Sequence, residues 1–444
     1  MKTEISLKQI NKLAIPALIS GVSEPILSLT DAAIVGNIEI NATESLAAVG
    51  IVTTFLSMLI WVLGQTRSAI SSLVSQYLGA NNLEAIKSLP AQAIFIITSL
   101  SILIIITTYP FTETIFKLYN ASDLILDYSV DYYKIRVFGF PFTLFTIAVF
   151  GTFRGLQNTY YPMLIAIIGT ISNIVLDVVL VYGIEGFIPA MNIKGAAYAS
   201  VIAQFTMAVL SVYYLLKKTE ISLRPTFPFN KEIRTFITMI LNLFIRTLAL
   251  NVTLYFASAF STSYGAAYIA AYTIAINLWF LGAFIVDGYS SAGNILSGKL
   301  YGQKNYKALV LLSNKLIKYG ILLGVFIAII GSLLYYPIGN IFTDDQEVLA
   351  QFYNIFWIVL AMQPFCALAF IFDGVFKGLG KMKYLRNLLL FSTFIIFVPI
   401  LFWLDSLDYK LYAIFVAIAF WIIARGIPLI IKFRQQFLPL SQKT

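Results

Sequence analysis

Long apolar runs, each closed by a cluster of charge, Gly, Pro or Asn, set the pattern of this chain. A helix needs about 20 mainly apolar residues to cross a bilayer. Twelve stretches qualify: 13–36, 46–75, 89–111, 130–153, 162–183, 195–216, 236–259, 266–297, 316–336, 349–375, 388–404 and 411–431. The run 247–286 holds no charge, and Ser261-Thr262-Ser263-Tyr264-Gly265 is the turn expected to divide it. A membrane β-barrel would need alternating strands of about 10 residues, whereas these runs are long and continuous. The first lies behind Lys2, Lys8 and Lys12 and lacks a clear small-residue cleavage site, so it reads as a retained helix and not a signal peptide.

Composition excludes the soluble alternatives. Of the 444 residues 59% are apolar and only 11% are charged, against about 25% charged in a typical soluble domain. That is too little charge to solvate a globule of this size. With no histidine there is no His triad, His metal site or His proton relay, and the single Cys366 permits no disulfide within the chain and no thiolate cage. The net charge of +9 raises the question of nucleic acid, but its distribution answers it. Of the 30 Lys and Arg, 22 fall in one set of alternating loops and tails, while 12 of the 21 acids fall in the opposite set. Lys and Arg concentrate on the cytoplasmic side of membrane proteins. Both termini are therefore expected in the cytoplasm, and the basic charge marks topology.

One constant offset lays the first half of the chain over the second. Gln76-Tyr77-Leu78-Gly79 falls on Lys299-Leu300-Tyr301-Gly302, Asn82 on Asn305 and Ala85 on Ala308. Far downstream, at the same offset, Pro141-Phe142 falls on Pro364-Phe365, Gly151 on Gly374, Arg154 on Lys377 and Gly155-Leu156 on Gly378-Leu379. Each half then holds six helices, and an even number gives both halves the same orientation. These are parallel repeats related by an axis along the membrane normal, an arrangement found in transporters. The expected domains are a first bundle over 1–216, a cytoplasmic linker over 217–235 with Pro225 and Pro228, and a second bundle over 236–444.

Five acids fall inside predicted helices: Glu24, Asp31, Asp177, Asp287 and Asp373. A charge at mid-bilayer costs at least about 2.5–3.5 kcal/mol and tends to mark an ion or substrate path. Asp31 and Asp177 lie on helices that both run outward, at similar expected depth. Asn173 and Asp177 are four apart and share a helix face. An amide oxygen beside two carboxylates suits a hard cation such as Na⁺. The same pair can instead hold protons, because burial and like charge both disfavour the ionised form. The repeat offset carries Asp31 onto Leu254 and Asp177 onto Ile400, so the ion chemistry is expected in the first half alone. Glu24, Asp287 and Asp373 carry structural readings as strong as functional ones: Glu24 as a partner of Arg246, Asp373 as a partner of Lys377 one turn on. With Arg246 these form a set of candidate cavity charges. Pro16 and Pro25 each remove a backbone bond from the first helix and permit a bend there.

At these residues the chain resembles the multidrug and toxic compound extrusion (MATE) family, and its DinF-like branch above all. The matching stretches are Pro16 with Leu29-Thr30-Asp31-Ala32-Ala33-Ile34-Val35-Gly36, Tyr77-Leu78-Gly79, Tyr133-Lys134-Ile135-Arg136 with Pro141, and Phe153-Arg154-Gly155-Leu156-Gln157-Asn158-Thr159. Asn173, Asp177 with Val181-Tyr182-Gly183, and Gly195-Ala196-Ala197-Tyr198-Ala199-Ser200 complete the set. The resemblance implies an all-α membrane protein of twelve helices in two six-helix bundles, V-shaped around a central cavity. It implies an H⁺ or Na⁺ site at Asp31, Asn173, Asp177 and Ser200, the last a position where relatives often carry Thr, and a bend of the first helix near Pro16. No roles carry over to Asp287 or Asp373.

The expectation is therefore an antiporter in a bacterial inner membrane, with H⁺ or Na⁺ flow driving export of organic, often cationic or amphipathic, compounds. It is not an enzyme and needs no cofactor beyond the coupling ion. Its expected partners are small organic substrates and membrane lipids, not nucleic acid, and it is expected to act as a monomer. The alternative is a flippase or exporter of a lipid-linked saccharide or other amphipathic metabolite; for the lipid-linked cargo only Arg67 and Arg246 are candidates for deep positive charge. A membrane enzyme finds no motif, and a receptor would show no substrate flux.

Overall fold

The computed structural model describes residues 5–443; Lys2 and the side chain of Glu24 lie outside the described residues. Apart from one isolated bridge between Ile184 and Ile188, the described residues form helices and the turns that join them. Eleven continuous helices are long and apolar enough to cross a membrane: α1 Leu7–Val35, α2 Ala42–Gly79, α3 Leu83–Thr108, α4 Asp123–Gly155, α5 Tyr160–Tyr182, α6 Asn192–Lys218, α7 Ile233–Ser263, α8 Ala266–Gly302, α9 Tyr306–Leu333, α11 Met382–Asp405 and α12 Leu411–Lys443. The twelfth, α10, is the pair Gln346–Ala361 and Gln363–Gly378, bent by 50° at Met362. Every expected span finds one of these helices. Two short helices, Thr112–Lys117 and Tyr335–Phe342, fill connections.

Local chemistry explains the ends and the breaks. α7 ends at Ser263 and Gly265 takes φ +120° before α8 starts, within the stretch expected to turn. The Asn305 side chain accepts from the backbone N–H of Ala308 at 3.0 Å and caps α9. Asp345 caps α10 in the same way through Glu347 and Val348. In α4 a 3₁₀ turn at Val137–Gly139 precedes Pro141, and in α10 the bend at Met362 precedes Pro364. Proline lacks the N–H of an α-helical rung and its ring presses on the preceding turn, so the helix yields just before it. The two breaks stand at equivalent positions of the repeat. In α11 a π turn at Ser392–Phe397 absorbs Pro399. α1 stays helical through Pro16 and Pro25.

The chain divides into two compact units, one of Met1–Leu18, Ser75–Asn81 and Leu241–Thr444, the other of Ile19–Val74 and Asn82–Ile240. Small residues set the packing within each. In the second unit a Cβ on Gly151 would lie 2.7 Å from the Arg67 carbonyl oxygen, and one on Gly155 would lie 2.5 Å from Val74 Cβ and 3.2 Å from the Ser71 oxygen. In the first unit a Cβ on Gly374 would lie 2.0 Å from the Ser290 oxygen, and one on Gly378 would lie 2.2 Å from the Asn294 oxygen. The contacts are copies of one another at the repeat offset, Gly151 on Arg67 matching Gly374 on Ser290, and Gly155 on Ser71 matching Gly378 on Asn294. With no water to drive helices together in lipid, such close backbone approach is what holds them. Also within the first unit, the ends of α2 and α8 cross reciprocally: Gly79 abuts Lys299 and Gly302 abuts Gln76. Large apolar side chains such as Leu29, Ile106, Leu333 and Trp403 are more than half exposed, as a hydrocarbon-facing surface requires.

The 217–235 segment is held to the start of α3. Gln92 donates to the carbonyl of Thr226 at 2.6 Å and accepts from the N–H of Asn230 at 2.8 Å, while the Asn230 side chain donates to the Ala85 carbonyl at 2.9 Å.

Candidate functional site

Four helices of the second unit bring a carboxylate cluster together. α1 supplies Asp31, α5 supplies Asn173 and Asp177 from successive turns of one face, α6 supplies Ser200 and α4 supplies Tyr132. All five are buried: Asp31 is 2% exposed, Ser200 3% and the other three 0%. Ser200 Oγ donates to Asp31 Oδ2 at 2.8 Å, Tyr132 Oη donates to the same oxygen at 3.2 Å, and Asn173 Nδ2 donates to Ser200 Oγ at 3.4 Å. Asp177 lies close enough to Asp31 for the two carboxylates to act on one another by charge. An opposing charge acts on Asp177 from Arg136, one turn beyond Tyr132 on α4, whose NH1 donates to Gln204 Oε1 at 2.8 Å.

The two donors to Asp31, Ser200 and Tyr132, converge on one of its oxygens. Four other buried oxygens receive no hydrogen bond: Asp31 Oδ1, Asn173 Oδ1 and both oxygens of Asp177. Unpaired buried acceptors are rare and costly, and two carboxylates at close range cannot both stay ionised without a proton or a cation between them. The free oxygens are hard ligands of the kind that take H⁺ or a small alkali cation, not a soft transition metal. Among the described residues no group of three or more His, Cys, Asp and Glu converges to hold a transition metal.

The structure thus brings together Asp31, Asn173, Asp177 and Ser200. Tyr132 is a member that sequence reading missed. It stands one position before the Tyr133-Lys134-Ile135-Arg136 stretch, and nothing in its local pattern separates it from an ordinary core aromatic. The remaining candidates lie elsewhere. Arg246 and Asp373 meet in the first unit, where Arg246 NH2 contacts Asp373 Oδ1 at 2.6 Å and Lys377 Nζ contacts Oδ2 at 3.0 Å. Arg425, which carried no role in the sequence reading, joins them at 3.9 Å. The expected Asp373–Lys377 pairing is present, and the partner of Arg246 among the described residues is Asp373. Asp287 sits on α8 near enough to Lys377 to act on it by charge.

Twelve membrane helices in a duplicated pattern, with charges buried inside, make a polytopic transporter fold. Comparison with known proteins gives the family. The MatE family model matches residues 16–179 and again 239–403, so the two matches begin at the same offset that carries Gln76 onto Lys299. DNA damage-inducible protein F of Escherichia coli is 25% identical over 385 residues, covering 84% of this chain and 81% of that protein. A probable multidrug resistance protein NorM of Thermotoga maritima is 26% identical over 384 residues, covering 84% of this chain and 80% of that one. A solved structure described as MATE in the bent conformation superposes with a TM-score of 0.90 at 20% identity, over 98% of this chain and 96% of its own. The chain belongs to the MatE family of multidrug efflux transporters. It is a membrane transporter and not an enzyme.

Proposed function

We propose that this protein is a cation-coupled antiporter of a bacterial inner membrane, with both termini in the cytoplasm, exporting organic and often cationic or amphipathic compounds. The observation that carries the reading is the set of four unpartnered buried oxygens on Asp31, Asn173 and Asp177. Ser200 and Tyr132 hold Asp31 by Oδ2 and leave Oδ1 open to an ion. An incoming H⁺ or Na⁺ bridges the two carboxylates, with the Asn173 oxygen as a further ligand. The ion can drive transport only if it binds the cargo-loaded and cargo-free conformations unequally. Relief of carboxylate repulsion supplies that inequality, since a conformation that pulls α1 from α5 splits the ion's ligands.

Counterflow of a cationic dye in proteoliposomes, with pH and Na⁺ gradients imposed separately, tests this. Wild-type protein should concentrate dye under one gradient and not under the other. Asp31→Asn and Asp177→Asn should each abolish accumulation while leaving passive dye exchange. Gradient-driven accumulation at the wild-type rate in both variants would refute the coupling role of the pair.

A further inference from the structure

The charge cluster of the first unit does not balance. Arg246, Lys377 and Arg425 face Asp373, with Asp287 acting on Lys377 from α8. Both Asp373 oxygens are already taken, Oδ1 by Arg246 and Oδ2 by Lys377. Arg425 is left at 3.9 Å, beyond hydrogen-bonding reach, although its side chain is only 4% exposed. Its NH1 atom is buried with no hydrogen-bond partner. The flat faces of its guanidinium are covered, over Trp421 at 4.9 Å and over Phe370 at 5.1 Å. Ring contacts of this kind stabilise the cation's face but leave the N–H edge unsatisfied.

Among the described side chains, three cations against two carboxylates leave one positive charge in excess, held on helices α7, α10 and α12. Arginine does not lose its proton to relieve the excess, and an uncompensated charge away from water is strongly unfavourable. A guanidinium with covered faces and an unsatisfied NH1 suits a planar oxyanion taken edge-on.

We propose that this cluster is a binding site for an oxyanion group, in which Arg425 and Arg246 grip a carboxylate of the transported compound while Asp373 keeps Arg246 and Lys377 in place. Its being a site for cargo rests on the export reading above; its being a site for an oxyanion does not. The cargo class that follows is an amphipathic organic carboxylate, including zwitterions that pair a carboxylate with a cationic group. The oxyanion could equally come from a phospholipid headgroup, and the test separates the two.

The experiment uses the purified full-length protein in a neutral detergent, with calorimetric binding of two probes matched in size, 2-naphthoate and 2-naphthylmethylammonium. The carboxylate should bind and the ammonium should not compete with it. Arg425→Gln should weaken carboxylate binding at least tenfold, and Arg425→Lys, which keeps the charge but loses the fork, should weaken it by less. Asp373→Asn should tighten binding, because the cations lose their internal competitor; a purely structural role for Asp373 predicts the opposite. Short-chain phosphatidylglycerol is the lipid arm, and binding of the lipid without any binding of naphthoate overturns the cargo assignment. Equal binding of the two probes by wild-type protein, or unchanged naphthoate binding in Arg425→Gln, overturns the site altogether. Should Arg425→Gln not fold, the wild-type probe comparison and the sign of the Asp373→Asn effect decide. Asp31→Asn keeps the two readings apart, since it should abolish coupling while the preference for naphthoate over the ammonium probe remains.

Discussion

Adding a single methyl group at Gly79 places a Cβ 2.0 Å from the carbonyl oxygen of Lys299 and 2.9 Å from its carbon. Ordinary contact begins near 3.4 Å, so the ends of α2 and α8 must part by more than 1 Å. The obstacle is main chain, which has no rotamer to turn aside. Overpacking of this kind costs about 1–3 kcal/mol. Both glycines are the last residues of their helices, so little of the roughly 1 kcal/mol propensity gain from Gly to Ala applies. At Gly302 the added Cβ would lie 1.9 Å from the Gln76 oxygen, so the two obstacles are near equal and face one another.

One displacement of the two helix ends relieves both clashes. Gly79→Ala and Gly302→Ala should each cost about 1–3 kcal/mol. The double variant should cost no more than about 0.5 kcal/mol beyond the larger single, a coupling energy of the size seen between contacting residues. Equilibrium unfolding of the purified protein in mixed micelles, read as a double-mutant cycle, measures this. Additive costs would refute the reasoning, because they would mean two separate strains in place of one crossing.

Two further outcomes follow from single contacts. Tyr132→Phe removes one of the two donors that compete with a cation for Asp31 Oδ2; hydrogen bonds to charged groups are worth about 1.5–3 kcal/mol, so the ion concentration for half-maximal coupled efflux should fall about tenfold, and an unchanged midpoint would show that this hydroxyl does not hold the carboxylate. Tyr264, in the turn between α7 and α8, donates to Asp405 Oδ1 at 2.5 Å, and burial together with that carboxylate holds its hydroxyl well above the ordinary tyrosine value. The neutral form is the one favoured by folding, so its contribution is whole below about pH 10 and is lost as pH rises from there toward the folded value. Tyr264→Phe should therefore cost about 1 kcal/mol at neutral pH and progressively less above pH 10; unfolding curves at two pH values check it, and a pH-independent cost would count against the bond.

The spans were legible because hydrocarbon imposes a long, uninterrupted apolar run on any helix that crosses it. The breaks in α4 and α10 were legible in outline, since Pro141 and Pro364 recur at the repeat offset. The 50° size of the second bend was not, because a proline states where a helix yields and its neighbours decide how far. The Asn173–Asp177 and Asp373–Lys377 pairs could be read from helical spacing alone. Asp31 could be matched to the first pair only by its expected depth, and Ser200 only by family resemblance, because α1 and α6 reach α5 across long separations that no local period encodes. Arg425 was invisible for the same reason. It reaches Asp373 from α12, and a lone arginine in an apolar run reads equally as a helix end or a buried partner.

The duplication separates what packing requires from what chemistry requires. Gly151 and Gly374, and Gly155 and Gly378, remain glycine in both halves because each meets a neighbouring helix too closely for a Cβ. That demand comes from helix crossing and is blind to function. The charged positions obey no such symmetry. Asp31 and Asp177 stand where the other half has Leu254 and Ile400, and Asp373 stands where the first half has Phe150. Where Arg154 and Lys377 do correspond, their partners differ: Arg154 donates to Ser20 Oγ at 3.0 Å, while Lys377 meets Asp373. The buried carboxylate oxygens without a hydrogen bond lie on Asp31 and Asp177 in one half, and Arg425 NH1 is a buried nitrogen without one in the other. Under the antiport proposed above, opposite unmet charge in two copies of one scaffold would let each half take its own ion without competing for that of the other.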